Sequence, residues 1–426
     1  MKLKGVLRKR VEALGYRKAL LIGFLYNMAA SLYNSLLTLL ALDAGGGAEL
    51  VAVSTSTVNL GFLLSSPYGG SIGDRIGRKT PLLAGFLALL VSSILLVLAY
   101  RGRVLPLFPI SGLFAGVASG LVSPNISMLV VELGVPREKR PEKPLSRLGV
   151  WSSLGWSLGL VIGAIISNFL PTMCTALIIS LSSAVGVLAT LALPRPLLTL
   201  ERETVAKPTS LFHGVVERVK LVYVIVTHPP ILVQKLFSRE WTRFTLYNLA
   251  IVACFIGAGL FFTQMPTYLK QVRGLSDSLV LVALAVHSIS STIIFTSIYT
   301  IATLIGTKKL LLLGIGGRVI VFLAPLTTEC MPAEIQALIT YTFTGATWAL
   351  ISVSTNSLAV YLAGIKSGGK SIGILNSSMG IGLIIGSLAS GIIAKLYGLR
   401  TCFIAASSFM LASLLMLYKA LKGVKI

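Results

Sequence analysis

Long apolar runs separated by short polar breaks occupy most of this chain. About twenty consecutive apolar residues are enough for a helix to cross the hydrocarbon core of a bilayer. Twelve runs reach that length, so the pattern predicts an all-α integral membrane protein. The predicted spanning helices lie at residues 19–41, 50–68, 80–100, 104–132, 148–169, 172–193, 246–268, 277–303, 308–326, 334–363, 371–394 and 399–419.

The longest polar break, residues 194–245, separates the runs into two blocks of six. Two such blocks joined by one long loop are typical of transporters built from parallel repeats. We therefore predict two pseudo-symmetric six-helix bundles. The predicted organisation is a basic amphipathic segment at 1–18, a bundle at 19–193, a central loop at 194–245, a second bundle at 246–419 and a tail at 420–426.

A short internal repeat supports the division into two halves. The segment Ile76-Gly77-Arg78-Lys79 recurs as Ile305-Gly306-Thr307-Lys308, at an offset of 229 residues. Both copies fall between the second and third predicted helices of their bundle. The sequence therefore predicts the same turn at the same place in each half.

The composition agrees with a membrane protein: 55% of the residues are hydrophobic and only 12% are charged. Soluble proteins carry about a quarter of their residues as charges, so a soluble enzyme, a disordered chain and a disulfide scaffold are excluded. The four cysteines, Cys174, Cys254, Cys330 and Cys402, have neither CxxC nor CxxH spacing. We expect no disulfide framework, no metal site and no cofactor.

The net charge of +23 would also suit a nucleic-acid-binding protein, but the position of the charges argues against that class. Of the 37 Lys and Arg residues, thirty lie in the segments on the side of the two termini and six lie in the loops on the other side. Basic residues accumulate in cytoplasmic loops of membrane proteins. We therefore expect a multi-pass protein of the cell membrane with both termini and the central loop in the cytoplasm.

The motif between the second and third predicted helices is Gly70-Ser71-Ile72-Gly73-Asp74-Arg75-Ile76-Gly77-Arg78-Lys79. It resembles the G-x-x-x-D-R-x-G-R-K signature of the major facilitator superfamily of secondary transporters, at every fixed position. The resemblance implies a monomeric protein of two six-helix halves that moves a small molecule by alternating access. Pro124 resembles the helix-4 proline of that family, whereas the upstream arginine of many proton-driven drug exporters and the Gly-Pro pair of helix 5 are missing.

The chemistry of each residue type in the motif predicts a structural role for it. Gly70, Gly73 and Gly77 would let a very short turn run close to neighbouring helices. Asp74 would dock at the N-terminus of the eleventh helix, which carries partial positive charge, and Arg78 would reach Glu132. We expect these contacts to latch the two halves together on the cytoplasmic side, with the conformational latch comprising Gly70, Gly73, Asp74, Arg75, Gly77, Arg78, Lys79 and Glu132.

The resemblance also implies that the first, fourth, seventh and tenth helices line a central cavity. In the first helix, Asn27, Ser31, Asn34 and Thr38 recur on one face. Such a stripe faces either water and substrate or a partner helix, to which it is joined by hydrogen bonds. The candidate cavity residues are Tyr26, Asn27, Asn34, Trp151, Gln264, Tyr341 and Trp348.

Ionisable groups are rare inside the predicted spans. All fourteen acidic residues lie at helix ends or in loops, whereas His287 and Arg318 lie about ten residues into their helices. Ionisable residues at that depth are candidates for function, so we assign both to proton coupling. The alternatives are a packing histidine bonded to Ser290 or Ser291, and an arginine that snorkels or forms a structural pair.

Other classes of membrane protein are less consistent with the chain. It contains no GxxxxGK[ST] stretch for nucleotide binding and only three histidines, which argues against a pump and against an enzyme. We predict a secondary active transporter of a small organic solute in the lipid bilayer, with protons as a candidate coupling ion and no nucleic-acid partner. A facilitated uniporter and a non-transporting sensor or receptor are the alternatives.

Overall fold

The computed structural model describes residues 2–138, 142–193, 243–363 and 368–423. Every regular element in these ranges is a helix, and twelve helices are long and apolar enough to cross a membrane. They are α1 (Lys2–Asp43), α2 (Ala48–Ile76), α3 (Lys79–Gly102), α4 (Leu107–Glu138), α5 (Glu142–Phe169), α6 (Ala176–Leu191), α7 (Arg243–Gln271), α8 (Asp277–Ile305), α9 (Thr307–Thr327), α10 (Ala333–Ala363), α11 (Gly368–Tyr397) and α12 (Leu399–Ala420). The all-α, twelve-span prediction is confirmed.

Several helices extend beyond the apolar runs that predicted them. Helix α1 begins at Lys2, so no break separates the segment 1–18 from the first span. Helix α2 continues to Ile76, and the expectation that Gly70 and Gly73 form a turn is therefore wrong. The reason is that apolar length marks only the part of a helix inside the bilayer. Helix α2 continues through Pro67 and ends just before Gly77, which has a positive φ. Most of the predicted central loop, residues 194–242, lies outside the described residues.

The two halves, α1–α6 and α7–α12, use the same packing scheme. In the first half α1 packs on α5 and α6, α2 packs on α4, and α3 packs on α4 and α6. Adding six to each number gives the pairs that pack in the second half. Each half has its own apolar core, as parallel repeats require.

The turns predicted by the internal repeat have nearly the same backbone geometry. Gly77 has φ 95° and ψ 153°, and Gly306 has φ 85° and ψ 147°. L-residues with a side chain rarely adopt such positive φ values, so glycine is required at both positions. The 229-residue offset therefore corresponds to a structural repeat.

The halves meet mainly through α2 with α11 and α5 with α8. Trp156 of α5 packs against the apolar cores of both halves. We call the end of the bundle where α1 and α7 end and α2 and α8 begin the Lys270 end. The opposite end, which carries the turn between α2 and α3, is the Arg78 end.

Candidate functional site

Arg78 lies at the start of α3 and is only 5% exposed. Its Nε and Nη2 donate to Oε1 of Glu132 at 3.2 and 3.1 Å, and its Nη1 donates to Oδ1 of Asn125 and to the carbonyl of Gly70. A Cβ at Gly73 would overlap Oδ1 of Asn125. Glycine at this position therefore lets α2 approach the polar side of α4 and the Arg78 guanidinium.

The contact expected between Arg78 and Glu132 is present, but it joins α3 to α4 within the first half. Lys79 likewise stays within this half and donates to the carbonyl of Leu191 at the end of α6, 2.7 Å away. These contacts fix the turn that follows Asp74 and the end of α2, and they do not themselves bridge the halves. The side chains of Asp74 and Arg75 and those at the start of α11 lie outside the described residues, so the docking of Asp74 stays a prediction.

A charged cluster at the Lys270 end does bridge the two halves. The ammonium of Lys270 lies 2.6 Å from Oδ1 of Asp43, at the end of α1, and 2.5 Å from Oδ1 of Asp277, at the start of α8. The hydroxyl of Thr172, from the first half, donates to Oδ2 of Asp277 at 2.6 Å. We call Asp43, Thr172, Lys270 and Asp277 the Lys270 clasp.

Further contacts close this end around the clasp. Lys395 of α11 pairs with Glu49 of α2 at 2.7 Å, on the surface. Gln264, an expected cavity residue, is fully buried, and its amide donates to the carbonyl of Ala48 across the interface and to Ser390. Both ion pairs that join the halves among the described residues lie at the Lys270 end.

The polar stripe of α1 is divided between the interior and an accessible surface. Asn27 is half-buried and Asn34 is exposed, whereas Ser31 and Thr38 are buried. Most residues in the apolar part of α1 are buried, so the exposure of Asn34 stands out. Each amide donates to a carbonyl one turn back, which leaves its oxygen free for another donor.

The remaining cavity candidates occupy different surroundings. Tyr26 points into the core of the first half and donates to Ser119 at 2.6 Å, so it does not share the face of Asn27 and Asn34. Trp151 is 41% exposed and packs edge-on against Phe24. Tyr341 is fully buried, and its hydroxyl has no hydrogen-bond partner in the described ranges.

Arg318 lies among aromatic rings inside the second half. Its Cζ is 5.2 Å from the ring centroid of Phe262, 5.5 Å from that of Trp348 and 5.6 Å from that of Phe322. His287 packs edge-on against the same Phe262 ring at 5.6 Å. We call His287, Arg318, Phe262, Phe322 and Trp348 the basic–aromatic cluster.

The snorkelling alternative for Arg318 is wrong, because the side chain is 1% exposed and stays inside the bundle. It donates only to neutral atoms, the hydroxyl of Thr347 at 3.4 Å and the carbonyl of Thr344 at 3.5 Å. No carboxylate pairs with it in the part of the chain that the structure describes. Sequence reasoning found this cation but not the three rings around it.

His287 also has a partner that the sequence did not indicate. Its Nδ1 lies 3.1 Å from Oγ1 of Thr344. Ser290 and Ser291, the expected partners, instead donate to the carbonyls of Thr342 and Ser288. Thr344 therefore contacts both basic groups, through its hydroxyl and its carbonyl.

Two packed six-helix halves, ion-paired across one end and carrying polar and basic groups at mid-span, define a multi-span membrane protein of the transporter class. The family model of the Major Facilitator Superfamily matches residues 19–324. The chain belongs to this superfamily of membrane transporters.

Individual relatives are distant. The Quinolone resistance protein NorA of Staphylococcus aureus is 23% identical over 166 residues, which cover 39% of this chain and 40% of NorA. The chain thus matches about two fifths of the length of this relative. Among solved structures, a nucleoside transporter NupG mutant has a TM-score of 0.76 at 13% identity, with 95% of this chain and 99% of that one covered. A D-xylose-proton symporter has a TM-score of 0.67 at 15% identity, with 95% and 96% covered. These two likenesses concern the fold alone.

Proposed function

We propose that the protein is a secondary active transporter that moves a small organic solute across the cell membrane by alternating access, as a monomer with cytoplasmic termini. The observation that carries this proposal is the Lys270 clasp. Lys270 and Asp43 belong to different halves, so the halves cannot separate at this end without breaking the ion pair. Transport then requires the clasp to open while the opposite end closes.

Different kinds of contact would hold the two ends of the protein closed. At the Lys270 end, charged side chains pair directly across the halves. At the Arg78 end, Arg78 and Glu132 hold the turn after α2 in place, so that Asp74 can dock at the start of α11 as a latch. Because the clasp and the latch lie at opposite ends, forming one and breaking the other exposes the interior to alternate sides.

The solute path runs between the accessible amides of α1 and the basic–aromatic cluster of the second half. Asn27 and Asn34 offer amide oxygens and nitrogens at mid-span, and Trp348 and Phe262 offer half-buried rings. Polar groups at a few points on an apolar wall are typical of sites for small molecules.

Proton coupling through His287 is the form of energy coupling that we propose, with uncoupled uniport as the alternative. Histidine changes charge near neutral pH, and no acid occupies the middle of a span. The D-xylose-proton symporter among the fold neighbours is consistent with such coupling on this architecture.

Purified full-length protein in liposomes tests the proposal. Nucleosides, sugars, dipeptides and quinolones would be screened by counterflow, with and without a pH gradient. In a cysteine-free background, Glu49→Cys with Lys395→Cys would be joined by a short bis-maleimide, because this exposed pair crosses the halves. We expect the cross-link to stop transport and each single variant, treated identically, to remain active. Movement of no solute, or unchanged transport by the cross-linked protein, would contradict alternating access.

A further inference from the structure

We propose that the basic–aromatic cluster binds the carboxylate of an apolar organic acid together with one proton on Nε2 of His287. This inference deepens the proposed function by naming the substrate class, and it rests on that function for its place on a solute path. Its first support is an imbalance of charge. Arg318 is a buried cation at mid-span whose described partners are all neutral.

An uncompensated charge in the membrane interior is costly. Cation–π contacts with three rings offset part of that cost but leave the positive potential in place. The sequence places no acid in the middle of an apolar run, and no carboxylate among the described residues pairs with Arg318 to supply a counter-charge. A bound anion would supply it.

The direction of the cluster places this potential on the inner side of the second half. On α9, Leu313 and Ile320 are exposed, Ile320 to 74%, and Arg318 lies on the opposite face. Beyond Arg318, toward α7 and α10, Phe262 and Trp348 are half-buried. The apolar body of a ligand can pack on these rings while its carboxylate lies within the field of Arg318.

The hydrogen bonds of Thr344 determine which nitrogen of His287 is available. The hydroxyl of Thr344 donates to the carbonyl of Tyr341 at 3.0 Å, so toward His287 it acts as an acceptor. Nδ1, at 3.1 Å from that oxygen, therefore carries the hydrogen of the neutral ring. Nε2 is then the basic nitrogen, to which a carboxylic acid can transfer its proton.

Binding transfers one proton from the carboxylic acid to Nε2 of His287. The O–H bond of the acid breaks, an N–H bond forms at Nε2 and the resulting carboxylate accepts a charge-assisted hydrogen bond from the imidazolium. The groups facing His287 are Phe262 on α7, Arg318 on α9 and Tyr341 on α10. Its neighbour Ser288 donates to the carbonyl of Ser153 on α5. None of these described groups is an acid that would compete for the proton.

A purely structural role for Arg318 makes a different prediction, because ligand charge would then not matter. Benzoate, benzamide and benzylammonium share one ring and differ in charge, so they separate the two cases. With an effective dielectric constant of about 20 and a separation of about 9 Å, a unit charge changes affinity by about twentyfold. We therefore expect benzoate to bind at least about tenfold more tightly than benzamide, and benzylammonium to bind more weakly still.

The test is titration calorimetry on the full-length protein in lipid nanodiscs, in two buffers of different ionisation enthalpy. Wild-type protein should take up one proton for each benzoate bound. Arg318→Gln should remove the preference for benzoate over benzamide, and Arg318→Lys should keep it. Lys309→Gln, which removes an exposed charge from the same helix, is the matched control and should bind like wild type.

Equal affinity for benzoate and benzamide in the wild type would overturn the proposal, as would benzoate binding without proton uptake or no benzoate binding at millimolar concentration. The wild-type comparison holds even if an Arg318 variant fails to fold. Binding needs no transport, so a protein that binds benzoate with a proton but moves no solute would refute the proposed function and leave this site standing.

Discussion

The ammonium of Lys270 lies 2.6 Å from the carboxylate of Asp43, and this ion pair joins the two halves of the protein at one end. The same ammonium contacts Asp277 of its own half. The side chains of Lys270 and Asp277 are 20% and 14% exposed and that of Asp43 is 32% exposed, so solvent screening is weaker than for a fully exposed pair. The clasp is therefore a strong candidate for the element that holds this end closed.

Lys270→Gln should shift the protein toward a state that is open at the Lys270 end. Hydrogen bonds to charged groups contribute about 1.5–3 kcal/mol each, and the substitution leaves two carboxylates without their counter-charge. Spin labels at the exposed positions Leu105 and Ile335, one in each half, would report a longer distance by double electron–electron resonance.

Lys395→Gln is the control for that measurement, because it breaks the second ion pair that joins the halves among the described residues, and this pair is exposed. Exposed pairs contribute little to stability, so the label distance should stay close to that of wild type. If both variants give the wild-type distance, Lys270 does not hold the end closed.

Arg78→Met should destabilise the first half. Breaking a buried ion pair costs about 3–5 kcal/mol, and this substitution also removes donors to Asn125 and Gly70. Thermal unfolding in detergent should show a clear loss of stability. The double variant Arg78→Met with Glu132→Leu should recover part of it, since the acid that pairs with Arg78 is then replaced by an apolar side chain. If each single variant unfolds like wild type, the pair has no structural role.

Some of this architecture could be predicted because single local signals encode it. The repeat of Gly77 at Gly306 marks a backbone conformation that needs glycine, and both residues adopt it. Twelve apolar runs determine the number of spans because each run must exclude water by itself. Arg78 could be paired with Glu132 because the motif places Arg78 at the start of α3, and Glu132 lies at the same end of α4.

Contacts that depend on how the halves dock carry no such signal. Asp43, Thr172, Lys270 and Asp277 come from different helix ends, and only the folded arrangement brings them together. The sequence shows Lys270 and Asp277 on either side of the connection between α7 and α8, but it does not show that Asp43, at the end of α1, comes into contact with Lys270. The orientation of Tyr26 likewise follows from the rotation of α1, which one polar stripe does not determine.

Asp74→Asn should weaken the proposed latch at the Arg78 end by about 0.3–2 kcal/mol, the range for a charge at a helix terminus. The amide keeps the shape and removes the charge that would favour the N-terminus of α11. Labels at the exposed positions Thr80 and Lys309, at the Arg78 end of the two halves, should move apart. Asp74→Glu retains the charge, so in this variant the labels should move apart less than in Asp74→Asn. An unchanged distance in Asp74→Asn would refute the latch.

Topology can be tested with a native cysteine. Cys330 is exposed and follows α9 at the Lys270 end, and the excess of basic residues predicts that this end faces outward. In a chain that keeps only Cys330, an impermeant maleimide should label intact cells. A chain that keeps only an introduced Lys207→Cys should react after lysis alone. The reverse pattern would invert the orientation.

His287→Gln should abolish accumulation driven by a pH gradient, while counterflow exchange should persist with weaker binding of the solute. The argument proceeds by elimination: no carboxylate occupies the middle of a span, an arginine such as Arg318 keeps its proton at physiological pH, and free tyrosine titrates near pH 10. His287 remains, and it is half-buried at mid-span with Nδ1 held by Thr344. Glutamine can still hydrogen-bond to Thr344 but cannot carry a proton.

The measurement compares proteoliposomes that contain either protein. Counterflow is measured at equal pH on both sides, and uptake is measured with the interior either more acidic or more alkaline than the outside. Thr344→Val, which removes the hydroxyl that contacts Nδ1 and donates to the carbonyl of Tyr341, is the matched control and should retain pH-driven accumulation with altered affinity. Normal accumulation by His287→Gln would mean that the histidine is a packing residue, and an end-of-helix acid such as Glu329 would then be the next position to test.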